Sequence, residues 1–141
     1  MNNFALQLSK SQRTRFQDLG QSFMAKILET ELQRYPDNVD ALIELGQVYT
    51  QQGRYTEGLT VDQQLAEHLP DNPTVLYNLA CSLSLLSRTD DALDALECAI
   101  DVGYDDASFM LGDRDLDNVK HTERFQGLVA QLDGPIGRDD L

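Results

Sequence analysis

Apolar residues follow a helical spacing through most of the chain, and short polar segments interrupt them at regular intervals. Between residues 39 and 87, apolar positions recur three and four residues apart, which is the period of one face of an α-helix. Gln52-Gly53-Arg54 and Ser87-Arg88-Thr89-Asp90 break this spacing as tight turns do, and the spacing then resumes. The pattern therefore predicts pairs of helices, each pair joined by a tight turn.

One short block of sequence occurs twice at a fixed distance. Pro36-Asp37-Asn38 recurs 34 residues later as Pro70-Asp71-Asn72, and four further residue pairs share that offset. A period of this length is typical of helix pairs that are too small to bury their apolar faces alone and therefore stack. Proline ends the preceding helix, and Asp or Asn can cap the next one. We expect helix boundaries at both blocks, and Thr89 or Asp90 as the cap of the helix that follows the second turn.

Both flanks continue the helical pattern in weaker form. Beyond residue 105, a short segment at 107–111 is interrupted by Gly and Asp before residues 122–132 form a predicted capping helix. Residues 12–35 predict a long amphipathic helix that packs on the first complete unit. Its apolar positions are Phe16, Leu19, Phe23, Ile27, Leu28 and Leu32. We divide the chain into an N-terminal segment and helix (1–35), two complete repeats (36–104), a partial repeat with a capping helix (105–132) and a mobile tail (133–141).

The composition predicts a small acidic cytoplasmic protein. No apolar run approaches the ~20 residues of a membrane span, and the N-terminus does not have the pattern of an export signal. The net charge of −13 is uneven, because residues 1–35 contain five basic and three acidic residues and residues 36–104 contain two basic and twelve acidic ones. Such a charge repels phosphate backbones and anionic membranes. The predicted partner is a neutral or basic protein or peptide, with no nucleic acid and no membrane.

Large and small residues stand at fixed positions in each 34-residue unit. The first unit has Leu42, Leu45-Gly46, Tyr49, Gly58 and Pro70, and the second has Leu76, Leu79-Ala80, Leu83, Ala92, Leu96 and Ala99. This pattern resembles the tetratricopeptide repeat family. It departs from that family in having Leu for the usual Trp, Asp62 at a normally large position and Tyr104 where a Pro is expected. The resemblance implies an all-α fold, a right-handed superhelical stack of antiparallel helix pairs whose concave surface binds another protein.

The resemblance also assigns residues to the concave groove. Among the positions that bind chaperone C-termini in some family members, only Asn78 matches, so that function is not expected. Tyr77 is suited to contact a peptide or a helix. In an alternative interpretation, Tyr77 and Ile43 pack on the N-terminal helix and fill the groove from within. The predicted partner-binding residues are Asp40, Ile43, Gln47, Thr50, Thr74, Tyr77, Asn78, Cys81 and Leu85.

Candidates for metal and redox chemistry are weak. Asp113-x-Asp115-x-Asp117 begins like a calcium loop, but Asn118 replaces the required Gly and Arg124 replaces the final Glu. Charge near a helix start explains these aspartates without a metal, so no metal or cofactor is expected. Cys81 and Cys98 are interpreted as small core residues in a reducing compartment. Motifs for phosphate loops, nucleophile elbows and zinc peptidases are absent, so an enzyme is not predicted.

Three functions remain as hypotheses. The leading one is a non-catalytic adaptor or scaffold that binds a peptide or helix in the concave groove. The second is a small acidic chaperone for a hydrophobic or basic client protein. The third is a metal- or redox-responsive regulator that uses the three aspartates or the two cysteines. A homodimer is a further prediction, because Phe4, Leu6 and Leu8 either cover the free face of the first helix or join two copies.

Overall fold

A computed structural model describes residues 8–133 of the chain. Within that range the protein is all-helical, without a strand, and its helices pack in neighbouring pairs as a stack. The helices are α1 (Lys10–Arg34), α2 (Val39–Gln51), α3 (Tyr55–His68), α4 (Pro73–Leu85), α5 (Thr89–Asp101), α6 (Ala107–Gly112) and α7 (Glu123–Asp133), with a 3-10 helix at Arg114–Leu116. No helix in this range is long and apolar enough to cross a membrane.

Helix starts at the two repeated blocks follow the sequence prediction. The Asn38 side chain accepts a hydrogen bond from the backbone N–H of Ala41, and Asn72 accepts one from Val75. These bonds satisfy N–H groups that have no partner inside the helix. Helices α1 and α3 end just before the two proline blocks. The blocks therefore set both the end of one helix and the start of the next.

The prediction that Thr89 or Asp90 caps α5 is wrong. The helix begins at Thr89, so Thr89 and Asp90 lie inside its first turn, and the capping position belongs to Arg88. Arg88 makes no capping hydrogen bond with its side chain, which instead pairs with Asp91 at 2.8 Å. Ser87, two residues before the helix, adopts a left-handed conformation with φ of 59°.

Two apolar clusters run along the stack. The first joins α1, α2, α3 and the start of α4, with Leu42, Leu45 and Leu65 at its centre. The second joins α4 and α5 to the C-terminal helices. Its most buried residues are Ala80, Ala92, Leu96, Ala99, Met110, Leu116, Val119 and Phe125. Helices α6 and α7 lie in the segments where the sequence predicts a short helical segment and a final helix, and they pack against the second cluster.

Helix α1 packs through a different side from the one expected. Its contact with α2 uses Ala25, Leu28 and Leu32. Because successive residues of a helix are about 100° apart, Phe23 lies on the far side of the helix from Ala25. The solvent-facing apolar residues are Phe16, Leu19, Phe23 and Ile27, which are 61%, 66%, 68% and 47% exposed. The prediction that all six apolar positions pack on the first repeat is therefore wrong for these four.

Two sequence predictions concern segments outside the described residues. Phe4 and Leu6, predicted to cover α1 or to join two copies, precede residue 8. The predicted tail of residues 133–141 also falls outside, apart from Asp133, which ends α7.

Candidate binding surface

The C-terminal segment covers two of the predicted groove residues on α4, Tyr77 and Cys81. Tyr77 projects from α4, is only 4% exposed, and its hydroxyl donates a hydrogen bond to Asp113 Oδ2 at 2.7 Å. Its ring stacks on Tyr104, with ring centroids 4.5 Å apart and 8° between the planes. Phe109 approaches the same ring at a tilt, at 5.8 Å. The side chain predicted to receive a partner is thus occupied by residues of its own chain.

Cys81 lies one turn after Tyr77 and contacts the same carboxylate. Its Sγ is 3.7 Å from Asp113 Oδ2, and the other oxygen of Asp113 accepts a hydrogen bond from the backbone N–H of Asp115. Burial raises the pKa of the Cys81 thiol, and the neighbouring charges of Asp113 and Asp115 raise it further. The thiol therefore stays protonated at neutral pH, which makes it a poor nucleophile.

One group of side chains in the described range has the donor atoms of a cation site. Cys81 Sγ and the carboxylate oxygens of Asp113 and Asp115 lie within 4.8 Å of one another. Asp113 already binds Tyr77 and the backbone of Asp115, so its place in the fold is explained by hydrogen bonds. Asp117, the third aspartate of the calcium-like pattern, instead pairs with Lys120 at 2.9 Å.

The predicted groove residues of the first repeat are mostly exposed in the described structure. Ile43 is 36% exposed, and the Thr50 hydroxyl donates to the backbone carbonyl of Gly46 at 3.0 Å. Among the predicted groove residues, Asp40, Ile43, Gln47, Thr74 and Asn78 are exposed or partly exposed, Thr50 and Leu85 are half-buried, and Tyr77 and Cys81 are buried. The alternative in which the N-terminal helix fills the groove does not describe Tyr77, which is covered from the C-terminal side.

Comparison with known proteins identifies the repeated region. Residues 37–103 match the family model of the tetratricopeptide repeat. These residues belong to the tetratricopeptide repeat family. A curated relative, a protein of Arabidopsis thaliana described as chloroplastic, is 31% identical over 91 residues, which cover 62% of this chain and 27% of that protein. This chain therefore spans little more than a quarter of the relative's length.

Solved structures resemble this tetratricopeptide stack in their fold. MamA AMB-1 superimposes with a TM-score of 0.61 at 24% identity, covering 82% of this chain and 68% of that one. MamA MSR-1 gives a TM-score of 0.60 at 22% identity and covers 79% of this chain and 67% of the other. The tetratricopeptide repeat is typically a non-catalytic module for protein–protein interaction.

A polar network fastens α1 to the first tetratricopeptide repeat. The Tyr49 hydroxyl donates to Glu29 Oε1 at 2.7 Å, and the Arg54 guanidinium lies 4.4 Å from the centre of the Tyr49 ring. Arg54 also pairs with Glu57. Burial, together with the hydrogen bond and charge of Glu29, raises the pKa of Tyr49 to about 12. This network holds the C-terminal half of α1 in place.

Sequence reasoning predicted a free face on the first helix but did not identify the residues that form it. Phe16, Leu19, Phe23 and Ile27 were assigned to the side that packs on the first repeat. A signal was present in the sequence, because Phe23 and Ala25 are two residues apart and cannot share one side of a helix.

Proposed function

We propose that the chain is an adaptor or scaffold whose first tetratricopeptide repeat binds a peptide or helix on its concave side. The observation that supports this is the exposure of Ile43 beside polar residues on the first helices of both repeats. Tyr77 and Cys81 are excluded from the contact surface because residues 104–113 cover them. The proposed contact residues are therefore Asp40, Ile43, Gln47, Thr74 and Asn78.

The chemistry of this surface favours a neutral or basic partner. Asp40 and Glu44 are both exposed on α2, and neither belongs to an ion pair among the described residues. Ile43 lies between them in sequence and offers an apolar contact. A helix or extended peptide with an apolar anchor and a basic flank fits this arrangement.

Affinity purification with three versions of the protein tests the proposal. Wild type is compared with Ile43→Asp/Asn78→Arg, which changes the concave side, and with Gln63→Asp/Gln126→Arg, which makes the same charge changes on exposed residues of α3 and α7. We expect at least one protein that wild type and the control retain and the concave-side variant loses. The same set of proteins on all three would contradict the proposal, provided that circular dichroism shows each version folded.

A further inference from the structure

The outer side of α1 is an apolar surface without a partner in the described structure. Phe16, Leu19, Phe23 and Ile27 follow one another along it, and every residue from 10 to 20 is exposed. Gln21 makes the first side-chain contact with another helix, donating to Gln51 at 2.9 Å. A helix that packs on nothing is marginal in water, and a contiguous apolar surface marks an interaction site.

Basic residues flank this apolar surface. At about 100° per residue, Arg15 and Lys26 lie along one edge of it and Arg13 along the other. Of the acidic residues of α1, Asp18 and Glu29 lie on the side that faces away from it, and Glu31, on the same edge as Arg13 but near the C-terminal end of the helix, accepts a hydrogen bond from the Asn38 side chain. Within residues 8–133, the side chains of Arg13, Arg15 and Lys26 form no ion pair. The surface is therefore complementary to a partner surface that is apolar at its centre and acidic around it.

The region around α6 has such an apolar and acidic surface. Phe109 and Leu111 of α6 are 57% and 53% exposed. Residues 105–117 contain five aspartates and one arginine. An open cavity of about 530 Å³ lies beside α6, lined by Asp106, Ser108, Phe109, Gly112, Asp113 and Arg114. We call these lining residues, with Asp105 and Leu111, the α6 patch.

From this complementarity we infer that the outer side of α1 docks on the α6 patch of a second copy of the chain. Phe16, Leu19 and Phe23 supply the apolar contact, and Arg13 and Arg15 face the aspartates of the other copy. Pairing α1 with α1 would instead bring two basic edges together. The contact uses two different surfaces, so each copy keeps one free end and the copies join head to tail. This inference is independent of the partner proposed for the first repeat.

Sedimentation velocity of the full chain tests the inference through mixing. Phe23→Asp removes the α1 surface and Ser108→Arg removes the α6 patch, each at an exposed position. We expect wild type to grow in mass with concentration and to dissociate as salt is raised, because the contact is partly electrostatic. Each variant alone is expected to be monomeric. An equal mixture of the two variants is expected to form pairs only. The α1 surface of Ser108→Arg docks on the α6 patch of Phe23→Asp, and no intact surface is then left for a third copy.

Matched controls keep the test specific. Thr14→Asp places the same charge at an exposed position on the side of α1 opposite the apolar surface, and Gln63→Arg places the same charge on α3 away from the α6 patch. Both should associate as wild type does. Arg15→Glu leaves the apolar residues intact and should weaken association about tenfold. Leu111→Asp is a second change in the α6 patch for the case in which Ser108→Arg perturbs α6.

Several results would overturn the inference. A wild-type protein that stays monomeric at high micromolar concentration means that something other than a second copy covers α1. Continued association of Ser108→Arg and Leu111→Asp means that the α6 patch is not the docking site. A mixture that stays monomeric, while wild type associates, also excludes head-to-tail docking. Ile43→Asp/Asn78→Arg should associate normally, which separates this inference from the proposed function.

Discussion

At the scale of single residues, Asp62 is a buried carboxylate in the middle of the first repeat. Burial raises its pKa from 3.8 to about 6, and the hydrogen bond donated by Ser82 lowers it in part. Between pH 4 and 6 the folded protein keeps a proton that the unfolded chain has released. The free energy of unfolding therefore falls as pH rises through this range and is level above it, a change of about 3 kcal/mol.

Asp62→Asn is expected to remove this pH dependence. The amide resembles the protonated carboxyl group, so the variant should match wild type near pH 4 and exceed its free energy of unfolding by about 2–3 kcal/mol at pH 7.5. Urea denaturation at the two pH values measures the difference. Asp71→Asn, at an exposed position, is the control. An equal effect of Asp62→Asn at both pH values would show that ionisation of Asp62 is not the cause.

Ser87 and Gly53 provide a second test at the residue scale. They occupy equivalent turns 34 residues apart, and both are left-handed, with φ of 59° and 72°. A left-handed conformation costs a residue with a Cβ roughly 1 kcal/mol, which the greater unfolded-state freedom of Gly offsets in part. Ser87→Gly should therefore raise the free energy of unfolding by up to about 1 kcal/mol. Gly53→Ser should lower it, since an added Cβ there meets no atom within 4 Å and adds only backbone strain.

Urea denaturation of these two variants beside wild type measures both changes. Opposite signs are the expected result. Changes of the same sign would mean that the turn conformation does not control stability at these positions.

At the scale of helices, the segment from Tyr104 to Asp113 acts as the cover of the second repeat. Tyr77→Phe keeps the ring stacked on Tyr104 but removes the hydrogen bond to Asp113, which should cost about 1–2 kcal/mol of stability. Tyr77→Ala also removes the ring and should cost about 3–5 kcal/mol. Hydrogen exchange should then quicken in residues 104–116. Faster exchange confined to α1 and α2 would contradict this assignment of the cover.

The helices also show what could be predicted from the sequence. The 34-residue offset predicted α2 to α5 because capping by Asn38 and Asn72 and the period of each helix are local properties. It could not predict what covers Tyr77, because the hydrogen-bond partner, Asp113, is 36 residues away and lies in a segment where the repeat is interrupted. Periodicity identifies an apolar side of α1 without identifying its partner. Hence the helices of the repeats were predicted better than the burial of Tyr77 and Cys81.

At the scale of the whole molecule, an acidic stack carries one mildly basic helix at its end. The charge balance changes from two excess basic residues in 1–35 to ten excess acidic ones in 36–104. Because the apolar clusters begin at Ala25, the first half of α1 contributes little to the folded body. Stability and association should therefore depend on different parts of the chain.

A chain shortened to residues 21–141 tests this separation. It keeps Ala25, Leu28 and Leu32 on α2 and the bond between Glu29 and Tyr49, so its free energy of unfolding should stay within about 0.5 kcal/mol of the full chain. It loses Phe16, Leu19, Arg13 and Arg15, so self-association should disappear. Urea denaturation and sedimentation of the same sample measure the two quantities. A large loss of stability would show that residues 1–20 belong to the folded body, in which case α1 is covered by its own chain rather than by a second copy.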